Sequence, residues 1–151
     1  MEDLPLLLMA TVTTMNDSEL RELLEGVTTI AVVGASTNPA KASNQVPKIL
    51  IDAGYTVIPV HPTADEILGR SVYPTLADIP VPVDIVDVFR PAAEAPVLAE
   101  QAAAIGAGTF WLQLGITSPG AKQVAEQAGL TYLEDICVGV TTRRLGTHPR
   151  P

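Results

Sequence analysis

The most informative segment of the chain is VVGASTNPAKAS, residues 32–43. A run of β-branched and small apolar residues ends at Gly34, and small, hydroxylated and turn-forming residues follow before Lys41. A strand that gives way to such a loop before a helix is typical of a phosphate-binding turn, because the first amides of a helix and its positive dipole end attract anions. An ordinary turn whose serine caps the helix explains the loop equally well, since short glycine motifs often occur by chance.

The composition of the chain restricts the classes of protein to which it can belong. Its 151 residues suit one domain, and 47% hydrophobic but only 4% aromatic residues predict an aliphatic core, as in parallel sheets buried on both faces. Nine basic and 17 acidic residues give a net charge of −8, which disfavours nucleic acid and anionic membranes as partners. The single Cys137 and the lack of an apolar run of ~20 residues favour a cytoplasmic protein.

Strand and helix patterns alternate about five times along the chain. Asn16 with Glu19 has the spacing of a capping box, and Ser118 precedes Pro119 as a second helix cap. The predicted strands, some with their loops, are TTIAVVGAS, YTVIPVHP, VDIVDVF, TFWLQLG and LTYLED. The alternation predicts an α/β fold of three layers, a Rossmann-like doubly wound parallel sheet of about five strands in the order 3-2-1-4-5.

The same patterns suggest how the chain is divided. We expect an N-terminal extension over residues 1–15, the α/β domain over residues 16–146 and a flexible C-terminal tail over residues 147–151. Residues 1–14 precede the first capped helix, so their removal is expected to change the stability little.

Ligands of such sheets bind where the strands end, at their carboxyl edge. After the first strand, Gly34 allows close backbone approach, Ser36 and Ser43 offer hydroxyl groups, and Lys41 adds a cation. The second strand ends at His61, where NAD sites normally have an acid that binds the ribose hydroxyls. An NAD site is therefore the weaker interpretation.

The ends of the later strands add further candidates. Arg90 lies at the start of a predicted helix, where the dipole repels cations unless an anionic ligand or a partner such as Asp84, Asp87 or a loop acid joins it. After the fourth strand, Gln113 can hydrogen bond to an amide or an adenine edge. No catalytic triad, paired carboxylates or metal cluster can be assembled, so we predict no catalytic and no metal-binding residue.

Taken in order, four segments resemble a known family. VVGASTNPAKAS, GYTVIPVHPTADEILGRSVYPTLADIP, VDIVDVFRP and FWLQLGI resemble the stand-alone CoA-binding domain proteins. They are also similar to the CoA-binding domains of succinyl-CoA synthetase α subunits and of ADP-forming acyl-CoA synthetases. The resemblance runs over residues 28–145. It implies that the chain binds coenzyme A or an acyl-CoA, without the ligase chemistry that needs a further domain with a phosphorylated histidine.

The resemblance also implies a role for each candidate residue. The residues at the pyrophosphate would be Gly34, Ala35, Ser36, Lys41 and Ser43. Those bordering the adenosine would be Val60, His61 and Pro62, and those lining the pocket beside the first loop would be Phe89 and Arg90. Those meeting the pantetheine arm would be Gln113, Gly115 and Ile116. The alternative is an NAD(P)- or nucleotide-binding oxidoreductase-like domain. We expect a monomer or weak homodimer, and an unidentified protein partner is left open.

The sequence departs from the family at two places. The family usually has Asn at the position of His61. Its C-terminal D-R-C motif, followed by an acid and a histidine, reads Asp135-Ile136-Cys137 and then Thr141-Thr142 here. Cys137 is expected to be a small buried residue, with a mixed disulfide to CoA as a minor alternative.

Overall fold

The computed structural model describes residues 15–150. The predicted extension therefore lies outside the described residues except for Met15, which is partly buried against the core. The helices are α1 (Asp17–Glu25), α2 (Ala42–Asp52), α3 (Ala95–Ala104), α4 (Pro119–Gln127) and α5 (Val138–Leu145). The strands are β1 (Thr29–Val33), β2 (Thr56–Val60), β3 (Glu66–Ile67), β4 (Arg70–Ser71), β5 (Ile85–Val88), β6 (Thr109–Leu112) and β7 (Thr131–Leu133). Short 3-10 turns cover Leu76–Asp78 and Ala92–Glu94.

The main sheet has five parallel strands in the order β2-β1-β5-β6-β7, with the Rossmann-like pattern predicted from the sequence. Counting the single bridge between Val60 and Tyr73 as the third strand, outside β2, gives the order 3-2-1-4-5 for the first five strands, with β7 as a sixth. The segment counted third from the sequence, β5, consequently takes the fourth place and pairs with β1. The small β3–β4 hairpin, which was not predicted, precedes Tyr73.

Pro59 lies inside β2, where the absence of a backbone N–H group would normally interrupt the hydrogen bonds between neighbouring strands. Its carbonyl accepts the Tyr73 N–H (3.2 Å), and its ring nitrogen faces the same outer side. The carbonyl of Val60 faces β1 instead and accepts the Gly34 N–H (3.1 Å). Pro59 is tolerated because β1 requires no donor from it.

The core has two halves, one on each face of the sheet. In β1, Ala31 and Val33 point to the face covered by α3 and α4, whereas Ile30 and Val32 point to the face covered by α1, α2 and α5. Alternate residues of one strand are thus buried on opposite sides, as predicted for a parallel sheet in a three-layer fold.

Local signals placed most helix ends correctly. Asn16 Oδ1 accepts the Glu19 N–H (2.8 Å), Glu19 Oε1 accepts the Asn16 N–H (3.1 Å), and α1 ends at Gly26. Ser118 Oγ accepts the Ala121 N–H (3.1 Å) at the start of α4. The capping box and the serine cap are confirmed.

Helix α5 was missed, because Gly139 and two threonines interrupt its pattern and its cap is the weak acceptor Cys137. The residues after it, predicted as a flexible tail, contact α1: the Arg150 N–H donates to the Glu25 carbonyl (3.0 Å), and Thr147 is buried. None of the helices between residues 15 and 150 combines the length and apolar character that a bilayer crossing requires.

Candidate functional site

A cavity of about 480 Å³ opens at the carboxyl ends of β1, β2 and β5. Its predicted members are Gly34, Ala35, Ser36, Lys41, Ser43, Val60, His61, Pro62, Phe89 and Arg90. The remaining lining residues, which sequence reasoning did not select, are Val33, Pro74, Thr75, Leu76, Glu94, Leu98 and Gln101. Three loops that are distant in sequence therefore meet because parallel strands end at one edge of the sheet.

Gly34 is required where β1 meets the end of β5. Its φ of +86° favours glycine, and a Cβ there would lie 3.0 Å from Arg90 Cδ and 3.1 Å from the Phe89 carbonyl oxygen. The sequence predicted that Gly34 allows close backbone approach, which would suit a phosphate. The structure gives a different reason, since the first atoms that a side chain there would meet belong to the neighbouring strand end.

The start of α2 leaves backbone donors beside the cavity. The N–H groups of Ala35, Ala42 and Ser43 have no acceptor among residues 15–150, and Ala35 is only 1% exposed. The N-cap of α2 is Lys41, whose side chain makes no capping hydrogen bond. The first amides of the helix and the positive end of its dipole therefore remain available to an anion.

The backbone of Ser36, by contrast, is already bound to α2. Its N–H donates to the Ser43 carbonyl (3.1 Å), and its carbonyl accepts Asn44 Nδ2 (2.8 Å). Ser36 Oγ accepts the Asn38 N–H (3.0 Å), so the hydroxyl hydrogen is what this residue can offer a ligand. Asn44, which is 7% exposed, was missed from the sequence because its role depends on the path of the loop.

Arg90 is held by a carboxylate from the same side of the cavity. Its Nε donates to Glu94 Oε1 (3.1 Å) and its terminal nitrogen to Glu94 Oε2 (2.7 Å). The hydrogen bond from Arg90 lowers the pKa of Glu94, and the same bond raises the pKa of Arg90. The observed partner is neither Asp84 nor Asp87 but Glu94, in the 3-10 turn before α3. Asp84 instead accepts two amides at the start of β1.

The ring of His61 has a fixed tautomer. Its Nδ1 accepts the N–H groups of Thr63 (3.1 Å) and Ala64 (2.9 Å), and a backbone N–H can only donate. Nδ1 is therefore unprotonated in this arrangement, and the neutral ring carries its hydrogen on Nε2. The side-chain oxygen of Asn can form the same kind of turn, so this geometry would also accommodate the Asn that the family resemblance led us to expect at this position.

Further walls of the cavity come from segments with weak sequence signals. Pro74, Thr75 and Leu76 follow the Tyr73 bridge, which brings them beside the end of β2. Thr75 Oγ1 donates to Asp78 Oδ2 (2.7 Å), which fixes the 3-10 turn. The alternation of strands and helices does not predict this bridge, so it could not place this wall.

The three residues predicted for the pantetheine arm do not line this cavity. Gln113 Nε2 donates to Asp87 Oδ1 (2.6 Å), and the Gly115 N–H donates to Asp135 Oδ1 (2.7 Å). Ile116 packs against the core face that contains α3 and α4. The contact of these residues with pantetheine stays a prediction.

Asp87 is the most unusual group near this edge of the sheet. It is fully buried in β5, and its Oδ2 has no hydrogen-bond partner within the described part of the chain. Burial raises its pKa well above the ordinary value for Asp, against the opposing effect of the hydrogen bond from Gln113. Burial thus stabilises the neutral, protonated form of the Asp87 carboxyl group relative to its charged form.

Cys137 is half-buried at the start of α5, where its Sγ accepts the Val140 N–H (3.5 Å). It does not line the cavity. Across residues 15–150, no three His, Cys, Asp or Glu side chains come close enough together to hold a metal ion.

Comparisons with known proteins agree with this architecture. The model of a CoA-binding domain family matches residues 28–143. The uncharacterized protein YneT of Bacillus subtilis is 41% identical over 123 residues, which cover 82% of this chain and 91% of YneT. A solved structure, a hypothetical protein from Pyrococcus horikoshii OT3, superposes with a TM-score of 0.84 at 37% identity, over 87% of this chain and 92% of the other.

A longer relative contains one region that is similar to this chain. The ADP-forming acetate–CoA ligase I of Archaeoglobus fulgidus is 34% identical over 125 residues, which are 74% of this chain but 18% of the ligase. This chain thus corresponds to less than one fifth of that protein. By its matched span and its similarity to YneT, the chain belongs to the CoA-binding domain family.

Proposed function

We propose that this chain binds coenzyme A or an acyl-CoA in the cavity at the ends of β1, β2 and β5, without ligase chemistry of its own. Membership of the CoA-binding domain family supports the ligand class. The cavity of about 480 Å³ lies in the range typical of small-molecule sites, about 300–1,000 Å³.

The observation that carries the proposal is the set of amides without acceptors at the start of α2. A buried N–H group normally has a partner, and the amide of Ala35 has none among residues 15–150. Together with the amides of Ala42 and Ser43 it forms a donor set suited to a pyrophosphate.

Local cations offset the negative charge of the whole protein. CoA carries a pyrophosphate and a 3′-phosphate, whereas the chain has a net charge of −8. Lys41 lines the cavity from the start of α2 and Arg90 from the segment after β5, so positive charge lies on two sides. Arg90 is paired with Glu94 and half exposed, so we expect it to exchange or share this carboxylate when a phosphate binds.

The β2 side of the cavity suits the adenosine. His61 offers a neutral Nε2–H donor, and Pro62 and Pro74 provide apolar surface. The acid that an NAD site places at the end of the second strand is replaced here by His61. We therefore favour CoA over NAD(P) as the ligand. We expect the remaining lining residues to shape the cavity without donating specific hydrogen bonds or charge to the ligand.

The proposal is one of binding, because the lining residues suggest no acid–base machinery. The ionisable residues that line the cavity are Lys41, His61, Arg90 and Glu94. Arg90 and Glu94 form an ion pair with each other, so the single carboxylate among the described lining residues is already neutralised by a cation. The ligase activity in the name of the Archaeoglobus relative belongs to a protein more than five times as long as the matched region.

Thermal-shift measurements with CoA, acetyl-CoA, NAD and NADP test the proposal. A ligand at 100 times its Kd stabilises the fold by about 2.7 kcal/mol, which raises the Tm of a domain of this size by roughly 5–10 °C. We expect such a shift with CoA or acetyl-CoA. Stabilisation by NAD with none by CoA would reverse the assignment. Size-exclusion chromatography of the same samples tests the expected monomer or weak homodimer, and cell fractionation tests a cytoplasmic location.

A further inference from the structure

Helix α2 contains a proline where a helix normally excludes one. Pro47 is the sixth residue of α2 and is buried. A proline inside a helix is strongly destabilising, because its ring crowds the preceding turn and its nitrogen has no hydrogen to donate. The carbonyl of Ser43, four residues earlier, therefore has no partner within the helix.

The loop after β1 supplies that partner. The Ser36 N–H donates to the Ser43 carbonyl (3.1 Å), and the Asn44 side chain donates to the Ser36 carbonyl (2.8 Å). Both backbone polar groups of Ser36 are thus fixed to the first turns of α2. Ser36 follows Ala35, whose amide is the buried donor of the proposed phosphate site.

We infer that Pro47 is a positioning residue for the phosphate loop. By withholding an amide from the Ser43 carbonyl, Pro47 reserves that acceptor for Ser36 and fixes residues 34–41 against α2 before a ligand arrives. This inference rests on the proposed function, since the loop is held for CoA. Fixing a loop in its bound conformation improves affinity by reducing the entropy lost on binding.

A purely structural role for Pro47 would give a different pattern of effects. Its ring is buried, and packing alone could explain its presence. In that case a substitution would lower stability and affinity together. If Pro47 positions the loop, an amide at residue 47 should compete for the Ser43 carbonyl, strengthen the helix and loosen Ser36.

The experiment is Pro47→Ala, with Pro96→Ala as the matched control. Pro96 lies in the first turn of α3, where no helical hydrogen bond requires its nitrogen. Without ligand, we expect hydrogen exchange of the Ser36 amide, followed by NMR, to become at least about tenfold faster in Pro47→Ala, with the amides of β1 unchanged. Urea unfolding should show stability equal to or above wild type, whereas the Kd for CoA should rise about 3- to 10-fold. Pro96→Ala should change neither Ser36 exchange nor the Kd.

The two proposals fail in distinguishable ways. If wild type does not bind CoA, the proposed function falls, and Ser36 exchange alone decides the role of Pro47. If wild type binds CoA but Pro47→Ala keeps Ser36 exchange at the wild-type rate, the positioning role is wrong. Should Pro47→Ala not fold, Pro47→Val replaces it, because valine supplies the amide and restores most of the ring's volume. The same exchange result decides the matter.

Discussion

The loops after β1 and β6 have the same glycine conformation for different reasons. Gly34 has a φ of +86° and Gly115 a φ of +85°. A Cβ on Gly34 would press on Arg90 and the backbone of Phe89, whereas a Cβ on Gly115 would have no atom within 4 Å. The first glycine allows two strand ends to approach each other, and the second only allows the chain to turn.

The same two loops differ in their donors. The loop after β1 leaves the amide of Ala35 without an acceptor, but the loop after β6 donates its Gly115 amide to Asp135 (2.7 Å). Gln113, at the end of β6, is likewise engaged by Asp87. A glycine after a parallel strand is thus weak evidence of a ligand loop, and unpaired donors beside a cavity are stronger evidence.

The largest expected effect is the loss of stability when Gly34, rather than Gly115, is replaced by alanine. Gly34→Ala should lower the free energy of unfolding by about 3 kcal/mol or more, because the strain of a positive φ, ~1–2 kcal/mol, adds to contacts with backbone that cannot move away. Gly115→Ala should cost only the strain, ~1–2 kcal/mol. Urea unfolding of both variants measures the difference. Equal losses would show that the close approach of β1 and β5 contributes nothing.

The second prediction concerns ligand affinity at the first loop. Lys41→Ala or Arg90→Ala should weaken CoA binding by roughly 10- to 100-fold, since a charge-assisted hydrogen bond contributes about 1.5–3 kcal/mol and each decade corresponds to ~1.4 kcal/mol. Titration calorimetry gives the affinities. Lys48→Ala is the matched control, because Lys48 lies on the same helix but pairs with Asp52 at its other end.

Of Lys41 and Arg90, Arg90 is the one whose contribution to CoA affinity should depend on a neighbouring side chain, Glu94. Glu94 competes with a phosphate for the guanidinium, so Glu94→Gln should leave CoA binding intact or strengthen it. Full affinity in both Lys41→Ala and Arg90→Ala would contradict the phosphate site itself.

The smallest expected effect concerns the buried carboxyl group of Asp87, which contacts Gln113 at the end of β6. Asp87→Asn should stabilise the fold at neutral pH, because burial raises the pKa of Asp87 above its unfolded value of about 3.9. The contribution of such a group to stability is fully present below the unfolded pKa and is lost as pH rises through the folded pKa. A gain of ~1 kcal/mol would raise the Tm by about 2–4 °C.

The pH dependence of that gain is the decisive measurement. The Tm difference between Asp87→Asn and wild type should be smallest near pH 4 and should increase towards pH 8. Exposed carboxylates with a lowered pKa, Asp17 and Glu94, contribute equally to both proteins and cancel in the difference. A difference independent of pH would mean that Asp87 does not change its protonation on folding.

Most of the fold could be predicted because its signals are local. The alternation of apolar strands with helices, two of which begin at the caps Asn16 and Ser118, was sufficient to predict a parallel sheet between two layers of helices. Helix α5 was not predictable in the same way, since it is held by tertiary contacts such as the Arg21 bond to the Leu145 carbonyl (2.6 Å).

The candidate site was predictable where residues follow a strand directly. Gly34, His61 and Arg90 met in one cavity because parallel strands place their carboxyl ends together. Leu98 and Gln101 could not be selected, as they line the cavity from a helix whose rotation depends on packing. Gln113 follows a strand too, but its buried partner Asp87 lies 26 residues earlier, on the neighbouring strand β5, and such a pairing cannot be recognised from spacing.

The proline in β2 affects how copies of this protein can associate. Exposed strand edges allow a second chain to add a strand, and proteins protect them with proline or with very short strands. The outer edge of β2 carries Pro59 and is covered by the Tyr73 bridge, and the opposite edge is β7, only three residues long. Extension of the sheet from one copy to another is therefore disfavoured at both edges, which protects the fold from edge-to-edge aggregation.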